Sequence, residues 1–136
     1  MKTMVISNAA QQILYLSKCW VGKIHDFKLL KEEFPPNQKW FRKFKVRVDL
    51  GYLGIGKEYE CKELLIPHKK PKQMELSEKQ KQENRDLASA RISVEHSIGG
   101  LKRYRILSDR LRCKDFKFYN DALEVCAGLW NFYLAT

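Results

Sequence analysis

Close cysteine pairs are missing from this chain. Its four cysteines, Cys19, Cys61, Cys113 and Cys126, are scattered; none stands in a C-x-x-C pair and none has a histidine at zinc-finger spacing. That argues against a structural zinc site and predicts reduced, partly buried thiols, as in proteins of the cell interior. Long apolar runs are also absent. No stretch approaches the ~18 to 20 residues of a membrane span. The apolar opening at residues 1–6 is interrupted by Ser7, Asn8, Gln11 and Gln12 before it reaches signal-peptide length. There is no internal repeat and no low-complexity tract. A soluble intracellular protein is the expectation. Acidic residues are scarce relative to basic ones, 16 against 26, giving a formal charge of +10. Such an excess points to a polyanionic partner, nucleic acid or an anionic membrane surface.

What is present is enough apolar material to fold. Hydrophobic residues make up 44% of 136 residues, which suits one domain with a real core. Two short apolar runs, 2–7 and 12–18, separated by Asn8-Ala9-Ala10-Gln11, read as a β-hairpin. After a break at Gly22-Lys23, a helix is expected over residues 27–34, with Asp26 capping it or favouring its positive end and Pro35-Pro36-Asn37 stopping it. An aromatic, basic stretch holding Trp40, Phe41 and Phe44 leads into a strand, Lys45-Val46-Arg47-Val48-Asp49. The glycines of Gly51-Tyr52-Leu53-Gly54 mark a tight turn after it. A further strand is predicted at residues 61–66, ended by Pro67, and residues 68–74 form a lysine-rich loop.

Ser77 with Gln80 three residues on is a capping-box pattern that opens a long helix. Leu87, Val94, Ile98 and Leu101 trace its core-facing stripe, and Gly99-Gly100 should kink or loosen it, each glycine costing roughly 1 kcal/mol against alanine. A last helix over residues 115–134 is expected to bury Phe116, Tyr119, Leu123, Cys126, Leu129, Trp130 and Tyr133. The element order suggests an α/β chain, a mixed sheet flanked by helices with a long C-terminal helical portion.

Two carboxylates stand out. Asp49 ends a strand beside glycines, where α/β folds place ligand sites, although an aspartate there also caps its own turn. On a continuous helix Arg91, Glu95, Gly99 and Lys102 share one face: a carboxylate between cations, with bare backbone at Gly99. The plainer reading is an exposed helix with an Arg91–Glu95 ion pair worth tenths of a kcal/mol.

These residues resemble a family. Gly22-Lys23-Ile24-His25-Asp26, Val48-Asp49-Leu50-Gly51-Tyr52-Leu53-Gly54-Ile55, Pro67-His68-Lys69-Lys70-Pro71-Lys72 and Asn84-Arg85 follow the order seen in insertion-sequence transposases of the DDE superfamily. So does Ala90-Arg91-Ile92-Ser93-Val94-Glu95-His96 through Leu101-Lys102-Arg103-Tyr104-Arg105-Ile106-Leu107. The most specific element is R-x-x-x-E-x-x-x-x-x-x-K; the related signature with a tyrosine three residues before the arginine has Ala88 here instead, which points to a sister group.

The resemblance implies a partial ribonuclease-H-like fold, with residues 1–136 as a single domain: the C-terminal part of a transposase catalytic domain whose first acid lies on a strand before the hairpin. Asp49 and Glu95 would be the second and third catalytic acids and metal ligands, converging on two Mg²⁺ ions, with Mn²⁺ as a substitute. Arg91 and Lys102 would contact DNA phosphates, and Lys69, Lys70, Lys72, Arg103 and Arg105 the wider backbone. Asp26 matches a recurrent family aspartate and reads as a helix cap; His25 and His96 read as structural. The implied partners are DNA, as transposon ends and target, and an upstream transposase segment or a second transposase subunit; no membrane is involved. The implied location is the cytoplasm, on the nucleoid. Such a chain is expected to be inactive alone, with a non-catalytic DNA-binding remnant that competes with intact transposase as the alternative.

Overall fold

The computed structural model describes residues 1–109 and 114–136 and is mixed α/β, with small sheets and helices. It divides into two compact units, Met1–Lys23 with Ile92–Thr136, and Ile24–Arg91.

The first unit opens with the expected hairpin, shortened to β1 (Val5–Ser7) and β2 (Ile13–Leu16), antiparallel with Val5 opposite Leu16. A bridge between Lys2 and Trp20 continues the pairing outward. Two helices of this unit, α4 (Ile92–Lys102) and α6 (Phe116–Ala135), cover the hairpin, and short α5 (Arg105–Ser108) lies between them in sequence. The buried cluster is Ile13, Leu101, Cys126, Ala127 and Trp130, with Val5, Leu16, Tyr104, Leu107 and Leu134 packed against it.

Polar side chains fasten the hairpin to the helices. Asn131 accepts from the Ile13 N–H at 2.8 Å and donates to the Ile13 carbonyl at 2.8 Å. Asn120 accepts from the Cys19 N–H at 2.8 Å. At the turn, Gln11 takes a left-handed backbone (φ 67°), and its carbonyl accepts from Ser97 Oγ at 2.8 Å and Trp130 Nε1 at 2.9 Å. His96 meets Gln11 Nε2 at 3.2 Å, so it sits in this structural network.

The second unit holds α1 (Asp26–Glu33), β3 (Lys45–Arg47), a 3-10 turn at Leu50–Tyr52, α2 (Ile55–Glu58), β4 (Glu63–Leu65) and α3 (Glu78–Ala90). Strands β3 and β4 pair in parallel, Val46 opposite Leu64, and the pairing is carried on by Lys62 N–H to Phe44 O (3.0 Å) and Val48 N–H to Leu65 O (3.1 Å). Both strands are shorter than expected because the ladder ends with these bonds. The core is Leu29, Leu30, Ile55 and Tyr59. Around it Phe34 packs on Trp40 and Phe41, and Phe41 on Tyr59, with ring centroids 5.3–5.4 Å apart. Gly54 takes φ +93°, a conformation that suits glycine and lets the chain turn into α2.

Three expectations are corrected. The helix opened by Ser77 is not continuous: α3 ends at Ala90, where the Arg91 N–H is shared between Leu87 and Ala88 carbonyls in a tightened last turn, and α4 begins at Ile92. No break occurs at Gly99-Gly100, both inside α4, because Gly100 is buried against the Trp130 ring and that packing offsets the glycine penalty. In α6, Leu123, Cys126 and Trp130 are buried but Phe116, Leu129 and Tyr133 are exposed, since a helix apolar on every side can turn only one stripe inward. The capping box at Ser77 and Gln80 is present as expected.

Cys19, Cys61 and Cys126 are free thiols, and burial pushes those of Cys61 and Cys126 up; Cys113 lies outside the described residues. No helix among the described residues is long and apolar enough to cross a membrane.

Candidate active site

Asp49 stands one residue beyond the end of the β3–β4 ladder and is the N-cap of the 3-10 turn. Its Oδ1 accepts from the Gly51 N–H at 2.8 Å, which is the turn-capping role the sequence allowed. Its Oδ2 is turned elsewhere, 3.8 Å from Arg91 Nη2, with both side chains about 40% exposed. One oxygen is therefore engaged in local structure and the other is open to solvent and to a cation.

Asp26 is brought to the same place. It is not the N-cap of α1, which is His25; it lies inside the first turn, where it favours the helix's positive end, the other role the sequence allowed. A Cβ built on Gly51 would stand 2.7 Å from Asp26 Oδ2 and 2.9 Å from Asp49 Oδ1, so the two carboxylates flank the bare Cα of Gly51 and leave no room for a side chain there. Tyr52 reports this environment: its phenol is pushed up to about 12, first by burial and then by the charges of Asp26 and Asp49. The His25-Asp26 pair in the sequence was the available signal for Asp26; its proximity to Asp49 was not readable, because it depends on how α1 packs on the turn.

Glu95 lies in the other unit, in the first turn of α4, with Lys102 in the last turn. Acid at the positive end and base at the negative end both favour the helix dipole. Glu95 is exposed and, among the described residues, carries no ion pair. Gly99 follows one turn later, and nothing comes within 4 Å of where its Cβ would be. Arg91, expected beside Glu95 on one helix face, instead ends α3 in the second unit and pairs with Asp49.

The remaining basic residues differ in how free they are. Lys70 is held by Glu75 at 2.6 Å, Arg105 by Asp109 at 3.2 Å, and the Arg103 guanidinium stacks 5.0 Å from the Tyr133 ring centroid. Lys69, Lys72 and Lys102 are exposed and, among the described residues, without an ion pair. No group of three or more His, Cys, Asp and Glu side chains among the described residues gathers to hold a metal ion.

A family profile described as DDE superfamily endonuclease matches residues 1–131. A probable transposase for insertion sequence element IS702 from Microchaete diplosiphon is 38% identical over 132 residues, which is 97% of this chain and 45% of that protein. The chain thus spans a little under half the length of that relative. No solved structure matches the chain.

Proposed function

We propose that this chain, which belongs to the DDE superfamily endonucleases, is the C-terminal part of an insertion-sequence transposase catalytic domain, acting in DNA strand cleavage and transfer. Residues 1–136 would contribute to one ribonuclease-H-like domain, completed by a strand of an upstream segment that carries the first acid. The observation that carries this reading is Asp49: at the end of the parallel β3–β4 pair, one oxygen fixed by Gly51, the other exposed and facing Arg91.

The donor chemistry fits the implied metal. Mg²⁺ and Mn²⁺ take hard oxygen ligands, and Asp49 and Glu95 offer partly exposed or exposed carboxylates. Two ions bound by such carboxylates supply activation of a water or 3′-hydroxyl and stabilisation of the leaving oxygen in phosphodiester cleavage. The chain's own residues would do the rest. Asp49 and Glu95 would each serve as a metal-binding acid, with the upstream acid as the third. Arg91, freed from Asp49, and Lys102 bind phosphates near the scissile bond. Lys69, Lys70, Lys72, Arg103 and Arg105 bind the wider backbone, where charge without base readout positions the duplex. The working place would be the nucleoid, and an upstream transposase segment or a second transposase subunit the protein partner.

The test is nicking of a supercoiled plasmid carrying the element's ends, in Mg²⁺ or Mn²⁺. A version extended upstream through the first acid should nick, Asp49→Asn or Glu95→Gln in it should abolish nicking, and the 136-residue chain should be silent. Metal-dependent nicking by the short chain, lost on Glu95→Ala, would overturn the assignment of the triad. An extended version that binds the ends but never nicks would favour the competing DNA-binding remnant.

A further inference from the structure

Two of the motifs singled out in the sequence, Pro67-His68-Lys69-Lys70-Pro71-Lys72 and Asn84-Arg85, meet in the structure. Asn84 sits in the middle of α3, a position where asparagine is a poor helix former because its amide competes for backbone bonds. Here the amide is engaged by another segment. Its Oδ1 accepts from the His68 N–H at 2.7 Å, and its Nδ2 donates to the His68 carbonyl at 3.1 Å. The neighbouring Glu83 takes the His68 ring as well, Oε2 to Nε2 at 2.5 Å. One residue of the loop is thus gripped by main chain and side chain together.

The loop so gripped is already stiff. Pro67 and Pro71 fix their own φ, and each restricts the residue before it, Ile66 and Lys70, to extended backbone. A two-bond clamp at His68 sets where this short, stiff segment stands relative to α3. Of its three lysines, Lys70 is tied to Glu75, while Lys69 and Lys72 are exposed and without an ion pair among the described residues.

We propose that Asn84 is a positioning residue for DNA-backbone binding: by clamping the main chain of His68 it presents Lys69 and Lys72, ahead of the ion-paired Lys70, to phosphates. The proposal rests on the DNA reading above and adds to it the residue that preorganises the contact. Preorganisation matters because a loop that must be ordered on binding loses affinity to that ordering, while the same loop held in advance does not. Asn84 itself carries no charge and touches no phosphate, so its effect must run through the lysines.

The experiment is titration of a short labelled duplex with the 136-residue chain at several salt concentrations, reading affinity and the slope of log K against log salt. Removing one phosphate contact flattens the slope by about 0.9. The Lys69→Ala/Lys72→Ala chain should therefore flatten it by roughly 1.8. Asn84→Ala, with unchanged charge, should flatten it by about 1, lower affinity at low salt by roughly 5- to 10-fold, and have no further effect in the double-lysine background. A merely structural role would not move the salt slope of an uncharged substitution. An Asn84→Ala chain with wild-type slope, or one whose loss adds to that of the lysine pair, overturns the proposal and leaves DNA binding standing. So does a lysine pair without effect on the slope. Absence of binding by the unaltered chain at low salt overturns the DNA reading itself.

Should Asn84→Ala fail to fold, the unaltered chain decides by nuclear magnetic resonance. The His68 amide should resist hydrogen exchange, and duplex should perturb Lys69 and Lys72 more than Lys70. A freely exchanging His68 amide, or perturbation that spares Lys69 and Lys72, overturns the proposal.

Discussion

The Arg91 guanidinium stands 3.8 Å from the Asp49 carboxylate, joining the end of α3 to the turn after β3. Both partners are about 40% exposed, so solvent screens the pair and its worth to stability is small. Arg91→Ala should lower the unfolding free energy by no more than about 1 kcal/mol, seen as a small shift of the urea midpoint with the slope unchanged. In the upstream-extended version the same substitution should cut nicking at least tenfold, and Arg91→Lys, which keeps charge but loses the fork, should restore it only in part. A large loss of stability with normal nicking would contradict this.

Gly99 and Gly100 are adjacent in α4 and should respond oppositely to alanine. At Gly100 the new methyl would stand 2.5 and 2.6 Å from carbons of the Trp130 ring, and moving a buried indole costs about 1–3 kcal/mol. At Gly99 it would meet nothing within 4 Å, so removing a helix-interior glycine should stabilise by up to about 1 kcal/mol. Chemical denaturation of the two variants checks both signs. Gly99 also follows Glu95 by one turn, so a stabilised Gly99→Ala that nicks poorly in the extended protein would place substrate over that bare backbone.

Asn131→Ala should unfasten the hairpin from α6. It removes both side-chain bonds to Ile13 and leaves the Ile13 N–H and carbonyl unsatisfied, costing about 1–3 kcal/mol for each buried group left without a partner. Amide exchange of Ile13 should accelerate well beyond that of β1 residues. Unchanged exchange at Ile13 would show that α6 contributes little to holding β2.

Alkaline pH should loosen the second unit. Tyr52 and Tyr59 both have phenols pushed up from 10.0 to about 12, chiefly by burial. Between these values the folded chain holds protons that the unfolded chain has lost. The stabilisation is therefore complete below pH 10 and disappears as pH rises from 10 towards about 12. Burial also raises the Tyr119 phenol, so ultraviolet titration of tyrosinate should show Tyr52 and Tyr59 among the late-ionising groups, and Tyr52→Phe should remove one of them. Early ionisation of all six tyrosines would show that Tyr52 is not enclosed by Asp26 and Asp49.

Local rules explain why much of the chain was readable. The hairpin, the helix opened by Ser77 and Gln80, the strand before Asp49 and the last helix all follow from period, caps and breakers acting within a few residues, and each is present. The break between α3 and α4 was not readable: Arg91 is an ordinary helix former, and the glycines that look like a breaker are held in helix by Trp130, 30 residues further along (130 − 100).

By itself the sequence determined which residues could do chemistry. Asp49 beside its glycines, Glu95 between basic residues, the lysines after Pro67 and the +10 charge are facts of composition and spacing, and no packing alters them. Only the tertiary structure decided which of them meet. It put Asp26 across Gly51 from Asp49, gave Arg91 to Asp49, and closed Asn84 on His68. Those contacts join segments separated by loops and turns, and their partners are chosen by the burial of Leu29, Leu30, Ile55 and Tyr59 in the second unit's core and by satisfaction of backbone groups. Local sequence pattern does not encode either one.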